Sequence, residues 1–144
     1  MNYYSILLII NRLITGLLPM LLVACAHHQS NSPDHYVIKG KTYHVMKSAK
    51  NYKAKGVASW YGSRGRNQKT STGERHNMYA MTAAHPTLPL GTRVRVKNLN
   101  NGRSIVVRIN DRGPFLSNRL IDLSFGAAKK LGIRGTAPVE IEVV

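Results

Sequence analysis

Short stretches in which apolar and polar residues alternate one by one, divided by turn signals, restrict this chain to a small, mainly β fold. Val94 and Val96 alternate with Arg93, Arg95 and Lys97, and Val139, Ile141 and Val143 alternate with Glu140 and Glu142. Ser104 to Asn110 carries Ile105, Val107 and Ile109 on one face, and Val57, Ser59 and Tyr61 oppose Ala58 and Trp60. Successive side chains on a strand point to opposite faces, so a period of two marks half-buried strands. Leu120 to Leu123 reads as a further short strand. Asn100-Asn101-Gly102 supplies the positive φ that a tight turn requires. Upstream, Tyr36 to Ser48 reads as a hairpin turning at Lys39-Gly40-Lys41.

One helix is predicted, from about Phe125 to Leu131. Ser124 suits its N-cap, Lys129 and Lys130 its negative C-terminal end, and Gly132 a left-handed cap. Several short strands and one helix within so short a span point to a small closed barrel. The sequence shows no internal repeat, coiled-coil heptad or dinucleotide-binding glycine pattern.

Composition narrows the function. The chain has 144 residues, of which 43% are apolar, enough for one modest core and one globular domain. Its 21 Lys and Arg outweigh 6 Asp and Glu, a net charge of +15 that calls for an anionic partner. A nucleic-acid binder is one reading of that charge, but basic residues alone, with no reading element, argue little for it. The single Cys excludes an internal disulfide framework and a Cys-rich zinc site. His27-His28 has no further ligand at metal spacing, so neither metal nor cofactor is expected.

The lone Cys has a specific place. Met1 to Val23 is strongly apolar, with Arg12 as its positive flank and Leu13 to Val23 as an apolar core too short for a comfortable membrane span. A signal anchor is the competing reading. Leu22-Val23-Ala24-Cys25 resembles a bacterial lipobox, in which the Cys is acylated and becomes the new N-terminus. Several acyl chains on one Cys anchor stably where one would be marginal. Ala26, in place of Asp, implies export to the outer membrane by resemblance to Gram-negative lipoproteins, with the domain facing the periplasm, away from nucleic acid. The expected organisation is a signal peptide over 1–24, Cys25 and a polar tether over 25–35, a hairpin extension over 36–55 and the barrel over 56–144.

Only six side-chain carboxylates are available for acid–base chemistry: Asp34, Glu74, Asp111, Asp122, Glu140 and Glu142. Asp34 falls in the tether, and Glu140 and Glu142 point outward from the last strand. Asp122 reads as a structural residue capping the following helix. Asp111 leaves a strand into the turn Arg112-Gly113-Pro114, where a backbone cap is the commoner role, but Arg108 and Arg112 surround it with positive charge that favours a carboxylate. Glu74 lies in a polar loop and His85 precedes Pro86, which holds the local chain extended. Each is ambiguous alone.

Together the motifs from Gly56 to Val144 resemble the RlpA (rare lipoprotein A) family. The resemblance runs through Gly56-Val57-Ala58-Ser59-Trp60-Tyr61-Gly62, Thr70-Ser71-Thr72-Gly73-Glu74 and Tyr79-Ala80-Met81-Thr82-Ala83-Ala84-His85. Thr87-Leu88-Pro89-Leu90-Gly91, Asn110-Asp111-Arg112-Gly113-Pro114-Phe115 and Arg119-Leu120-Ile121-Asp122-Leu123-Ser124 continue it. It implies a six-stranded double-psi β-barrel with a groove across one face. It also implies a lytic transglycosylase that cleaves the MurNAc-GlcNAc bond of peptidoglycan strands stripped of peptides, in cell-wall remodelling and daughter-cell separation.

By the same resemblance Asp111 matches the catalytic acid, Glu74 a second acidic site residue and His85 the site histidine. Trp60, Tyr61, Thr70 and Arg112 fall at substrate-binding positions. Division-site proteins are the implied partners and a monomer the default. This sequence reads Gly65-Arg66-Asn67 and His76-Asn77 where relatives often have Phe-His-Gly and Tyr-Asp, so glycan preference is expected to differ. Many relatives carry a C-terminal SPOR module; with the residues ending at Val144, a form without it is expected. The alternative is a non-catalytic wall-binding protein resembling expansins.

Overall fold

The alternating segments become strands whose partners are far away in sequence. A computed structural model describes residues 34–62 and 68–144 of the chain. The expected hairpin forms from β1 (His35–Ile38) and β2 (Lys41–His44), paired antiparallel from His35 opposite His44 to Ile38 opposite Lys41. Its two turn residues, Lys39 and Gly40, both take positive φ, 49° and 77°. That is the mirror-image turn whose twist matches a two-stranded ribbon.

Six further strands close into a barrel: β3 (Lys53–Trp60), β4 (Thr82–Ala84), β5 (Arg93–Asn98), β6 (Ser104–Asp111), β7 (Ile121–Leu123) and β8 (Ala137–Val143), in spatial order β3-β7-β4-β6-β5-β8. The pairs β3·β7 and β4·β6 are parallel, and the other four are antiparallel. Exchanging β3 with β6, β4 with β7 and β5 with β8 leaves this pairing unchanged, which is a pseudo-twofold axis. The six-stranded barrel is as expected.

Inside the ring, Val94, Val96, Val107, Ile109, Val139 and Ile141 are all at most 1% exposed, the apolar half of each alternating pattern. The helix α1 (Phe125–Leu131) lies where predicted and closes one end with Ala127, Ala128 and Leu131. Ser124 Oγ accepts from the Ala127 amide, and Gly132 caps the other end at φ 71°.

One boundary and one strand differ from expectation. β3 starts at Lys53, not Gly56, because Lys53 and Lys55 sit opposite Glu142 and Glu140 of β8 and pair with them across the sheet. These ion pairs are exposed and contribute little each, but the strand they continue belongs to the barrel and not to the preceding extension. β4 gave no alternating signal. Thr82, Ala83 and Ala84 are all buried, wedged between β6 and β7, so neither face meets solvent. The signal peptide, lipobox and Cys25, and the Gly65-Arg66-Asn67 segment, lie outside the described residues.

Candidate active site

Asp111 ends β6 at an irregularity. Ala83 pairs with Ile109 but Ala84 pairs with Asp111, so Asn110 is an extra residue against β4. Unbroken alternation would send Asp111 to the core face with Val107 and Ile109; the added residue re-aims it. Its Oδ1 then collects three donors: the Ser71 hydroxyl at 2.7 Å, the Arg112 amide at 2.8 Å and the Ser71 amide at 3.0 Å. Among the described residues no group hydrogen-bonds Oδ2. One oxygen is pinned and the other is unpaired.

Ser71 reaches Asp111 because its loop is clamped from below. Within Thr70 to Glu74, the Thr70 amide donates to the Glu74 carbonyl (2.9 Å) and the Gly73 amide to the Thr70 carbonyl (2.8 Å). The Thr72 amide donates to the Asn110 carbonyl at 3.2 Å, tying the loop to β6. Glu74 completes the tie. It pairs with Arg108 Nη1 (2.9 Å) and accepts hydrogen bonds from Arg108 Nη2 (3.0 Å), Asn110 Nδ2 (2.8 Å) and Thr72 Oγ1 (3.0 Å). The Arg108 and Asn110 hydrogen bonds hold the Glu74 carboxyl well below its usual range, at about 2. Glu74 is an ionised clamp, and it does not line the groove.

The groove itself encloses about 310 Å³ and is lined by Tyr61, Thr70, His76, Asp111, Arg112 and Asp122, among others. Burial first, and the charge of Asp111 second, push the Tyr61 phenol far above its ordinary range, so it stays neutral. Arg112 Nη1 donates to the Leu88 carbonyl at 2.5 Å and the His85 carbonyl at 3.3 Å, which ties the loop after β4 to the loop after β6.

Three assignments change on the structure. His85, grouped with the catalytic residues, is 2% exposed and absent from the lining. Its Nδ1 accepts the amides of Leu88 (3.0 Å) and Thr87 (3.2 Å), so the proton sits on Nε2, which donates to the Tyr52 hydroxyl at 3.2 Å. Burial and Arg112 lower its pKa to about 4. A neutral imidazole with both nitrogens engaged is a positioning residue. Trp60 separates from Tyr61 and lines a different cleft, beside α1. Asp122 does not cap that helix, which is the role of Ser124; it faces the groove and accepts the Ser59 hydroxyl, which in turn accepts from Arg119 Nη1 at 3.0 Å.

Ser71, Arg108 and Asn110 are the site residues that sequence reasoning did not assign. The shared face of Arg108 and Asn110 was legible from alternation; their grip on a loop over thirty residues away was not. Among the described residues no group of three His, Cys, Asp or Glu is placed to hold a metal ion.

A closed six-stranded ring with two parallel pairs about a pseudo-twofold, with a groove at a strand-end carboxylate, defines the class of the double-psi β-barrels. A family model described as lytic transglycolase matches residues 53–141, beginning at the first residue of β3, and the chain belongs to that family. It is 53% identical over 122 residues to the endolytic peptidoglycan transglycosylase RlpA of Pseudomonas aeruginosa, covering 83% of this chain and 36% of that protein. The protein of the same name from Campylobacter jejuni is 53% identical over 111 residues, 76% of this chain and 40% of the relative. The chain thus spans less than half the length of either relative. Among solved structures, the Streptomyces papain inhibitor matches with TM-score 0.51 and 26% identity, over 65% of this chain and 94% of the inhibitor. The Clavibacter michiganensis expansin matches with TM-score 0.51 and 21% identity, over 65% of this chain and 50% of the expansin, a likeness of fold alone.

Proposed function

We propose that this protein is a peptidoglycan lytic transglycosylase, cleaving the β-1,4 bond between MurNAc and GlcNAc with formation of 1,6-anhydro-MurNAc. The observation that carries this is Asp111: Oδ1 is held by three donors, Oδ2 has no hydrogen-bond partner among the described residues, and the residue lines a groove of about 310 Å³. Protonated Oδ2 gives its proton to the leaving glycosidic oxygen as the C1–O bond breaks. The same oxygen then takes the proton of the muramyl C6 hydroxyl as O6 bonds to C1. One carboxyl acts twice and no water is consumed, so the chemistry needs fewer carboxylates than hydrolysis does. Asp122, the second carboxylate lining the groove, takes the role of stabilising positive charge at C1 in this reading.

The same reading places the protein as a lipoprotein acylated on Cys25, in the outer membrane and facing the periplasmic wall, with a role at the division septum. The lipobox-like Leu22-Val23-Ala24-Cys25 and the basic composition support it. Labelled palmitate on the wild type, and none on Cys25→Ser, is the expected result in cells.

The decisive assay incubates the full chain, in detergent, with sacculi and with peptide-free glycan, and reads 1,6-anhydro ends by mass spectrometry. Wild type generates them, and Asp111→Asn loses them by a factor of roughly 10²–10⁴. Wild type that pellets with sacculi but releases no anhydro ends has a binding role instead.

A further inference from the structure

Trp60 and Tyr61 are adjacent in sequence and serve different clefts, which share no lining residue. Alternation at the end of β3 sends them apart. Trp60 lines a cleft of about 470 Å³ with Phe125, Ile133, Arg103, Lys129 and Arg134. Its indole is oriented: Nε1 donates to the Arg134 carbonyl at 3.1 Å, and the ring lies 5.5 Å from Phe125. Tyr79 follows Phe125 at 6.0 Å, edge to face, and is 67% exposed. The fold therefore leaves a row of three aromatic rings incompletely covered.

The charge around this row has one sign. No carboxylate lines the cleft, and Arg103, Lys129 and Arg134 have no acidic partner among the described residues, whereas Lys53, Lys55, Arg95 and Arg108 are all paired. The Leu131 carbonyl at the end of α1 is engaged by Asn98 Nδ2 (3.0 Å) and Asn101 Nδ2 (2.9 Å), so it is not a partner for these cations. Gly132 makes room for the guanidinium, since a Cβ there would stand 3.2 Å from Arg103 Nη1.

Sugar rings present C–H faces that pack on aromatic rings, and a row of rings suits a chain of sugars better than a single monosaccharide. The unpaired cations add a demand for anions on that chain. We propose that this cleft is a second, non-catalytic binding site for acidic glycan, namely a peptide-free peptidoglycan strand whose muramyl carboxylates meet Arg103, Lys129 and Arg134. The ligand rests on the cell-wall reading above, while the site stands on its own residues. Holding a strand here, apart from the Asp111 groove, would retain the polymer between cleavage events.

Trp60 is the only Trp of the chain, so its fluorescence reports this cleft alone. The test titrates the full chain in detergent, as Asp111→Asn to prevent turnover, with a peptide-free GlcNAc-MurNAc tetrasaccharide, with neutral chitotetraose and with oligo-dT. The muramyl tetrasaccharide should shift Trp60 emission saturably, with chitotetraose weaker by about tenfold or more and the double variant Arg103→Ala/Arg134→Ala losing a similar factor at unchanged circular dichroism. An equal response to chitotetraose, a stronger one to oligo-dT, or no loss in the double variant overturns the proposal. Anhydro-end formation by wild type is read separately, so failure of the titration with cleavage intact sinks this site alone, and the converse sinks only the enzymatic reading.

Discussion

Glu74 grips Arg108 with both carboxylate oxygens, at 2.9 and 3.0 Å, across 34 residues of sequence. The fork-to-fork pair lies behind the groove and fastens the loop that delivers Ser71 to Asp111. Glu74 therefore works through position, and its replacement should behave accordingly. Glu74→Gln is expected to fold and to lose roughly 10–100-fold in the rate of anhydro-end formation, the usual penalty for a small misplacement of reacting groups. The pH–rate profile should keep its shape; a changed profile would make Glu74 a proton-transfer group instead. Arg108→Lys should not substitute, because an ammonium lacks the planar fork.

Ser71→Ala removes the 2.7 Å hydroxyl donor to Asp111 Oδ1 and leaves the two amides in place. The hydroxyl fixes the position of the reacting carboxyl, and a small misplacement of a reacting group costs on the order of tenfold or more, so the cleavage rate should fall by roughly that factor. Ser71→Thr should retain most of it. Initial rates on peptide-free glycan decide between them.

Acidification should destabilise the fold in two windows. His85 is held near 4 in the folded state against 6.5 as its ordinary value, so below pH 6.5 the unfolded chain binds a proton that the native one refuses. Stability is then lost as pH falls from about 6.5 to 4, by about 3 kcal/mol. Glu74 is ionised in the native state down to about 2, so its contribution is complete above 4.5 and is lost between there and 2. Because its side chain is 40% exposed, solvent screening limits that second loss to about 1 kcal/mol. Urea midpoints at pH 7, 5, 4 and 3 measure both, and His85→Gln should flatten the upper window.

The hairpin buttresses the groove wall. Tyr36 donates its hydroxyl to the Pro86 carbonyl at 2.7 Å, stacks on Tyr43 at 5.3 Å, and lies under the Arg112 guanidinium at 5.9 Å. Phe115, which lines the groove, packs edge-on against both tyrosines. Tyr36→Phe should cost about 1 kcal/mol of stability through the lost hydrogen bond. Tyr36→Ala should in addition slow cleavage several-fold, measured on a variant verified as folded by circular dichroism.

Gly126→Ala sets two effects against each other. Alanine in a helix is worth about 1 kcal/mol over glycine, but its Cβ would stand 2.6 Å from the Tyr79 carbonyl oxygen. Backbone does not yield like a flexible side chain, and overpacking costs roughly 1–3 kcal/mol, so a net lowering of the melting temperature is expected.

Much of this molecule was legible in one dimension because its cues are local. Alternation located β5, β6 and β8, the Lys39-Gly40 turn set the hairpin, and Ser124 and Gly132 bounded the helix at the residues observed. β4 escaped because a strand buried on both faces has no polar phase to reveal it. Elimination among six carboxylates, and the family resemblance, arrived at Asp111 and Glu74, yet the groove is lined by Asp111 and Asp122. A strand residue flanked by Ile121 and Leu123 reads the same whether its opposite face meets solvent, a helix or a groove.

The sequence by itself determined the strand and helix inventory, the basic surface and the chemical types available to the site, since each depends on a residue and its near neighbours. Which groups meet was decided by the barrel. Closing β3 through β8 brings Ser71 to Asp111 across 40 residues and Glu74 to Arg108 across 34, while the extra residue Asn110 re-aims Asp111 and alternation parts Trp60 from Tyr61. Those relations depend on register and ring closure, which no local pattern encodes.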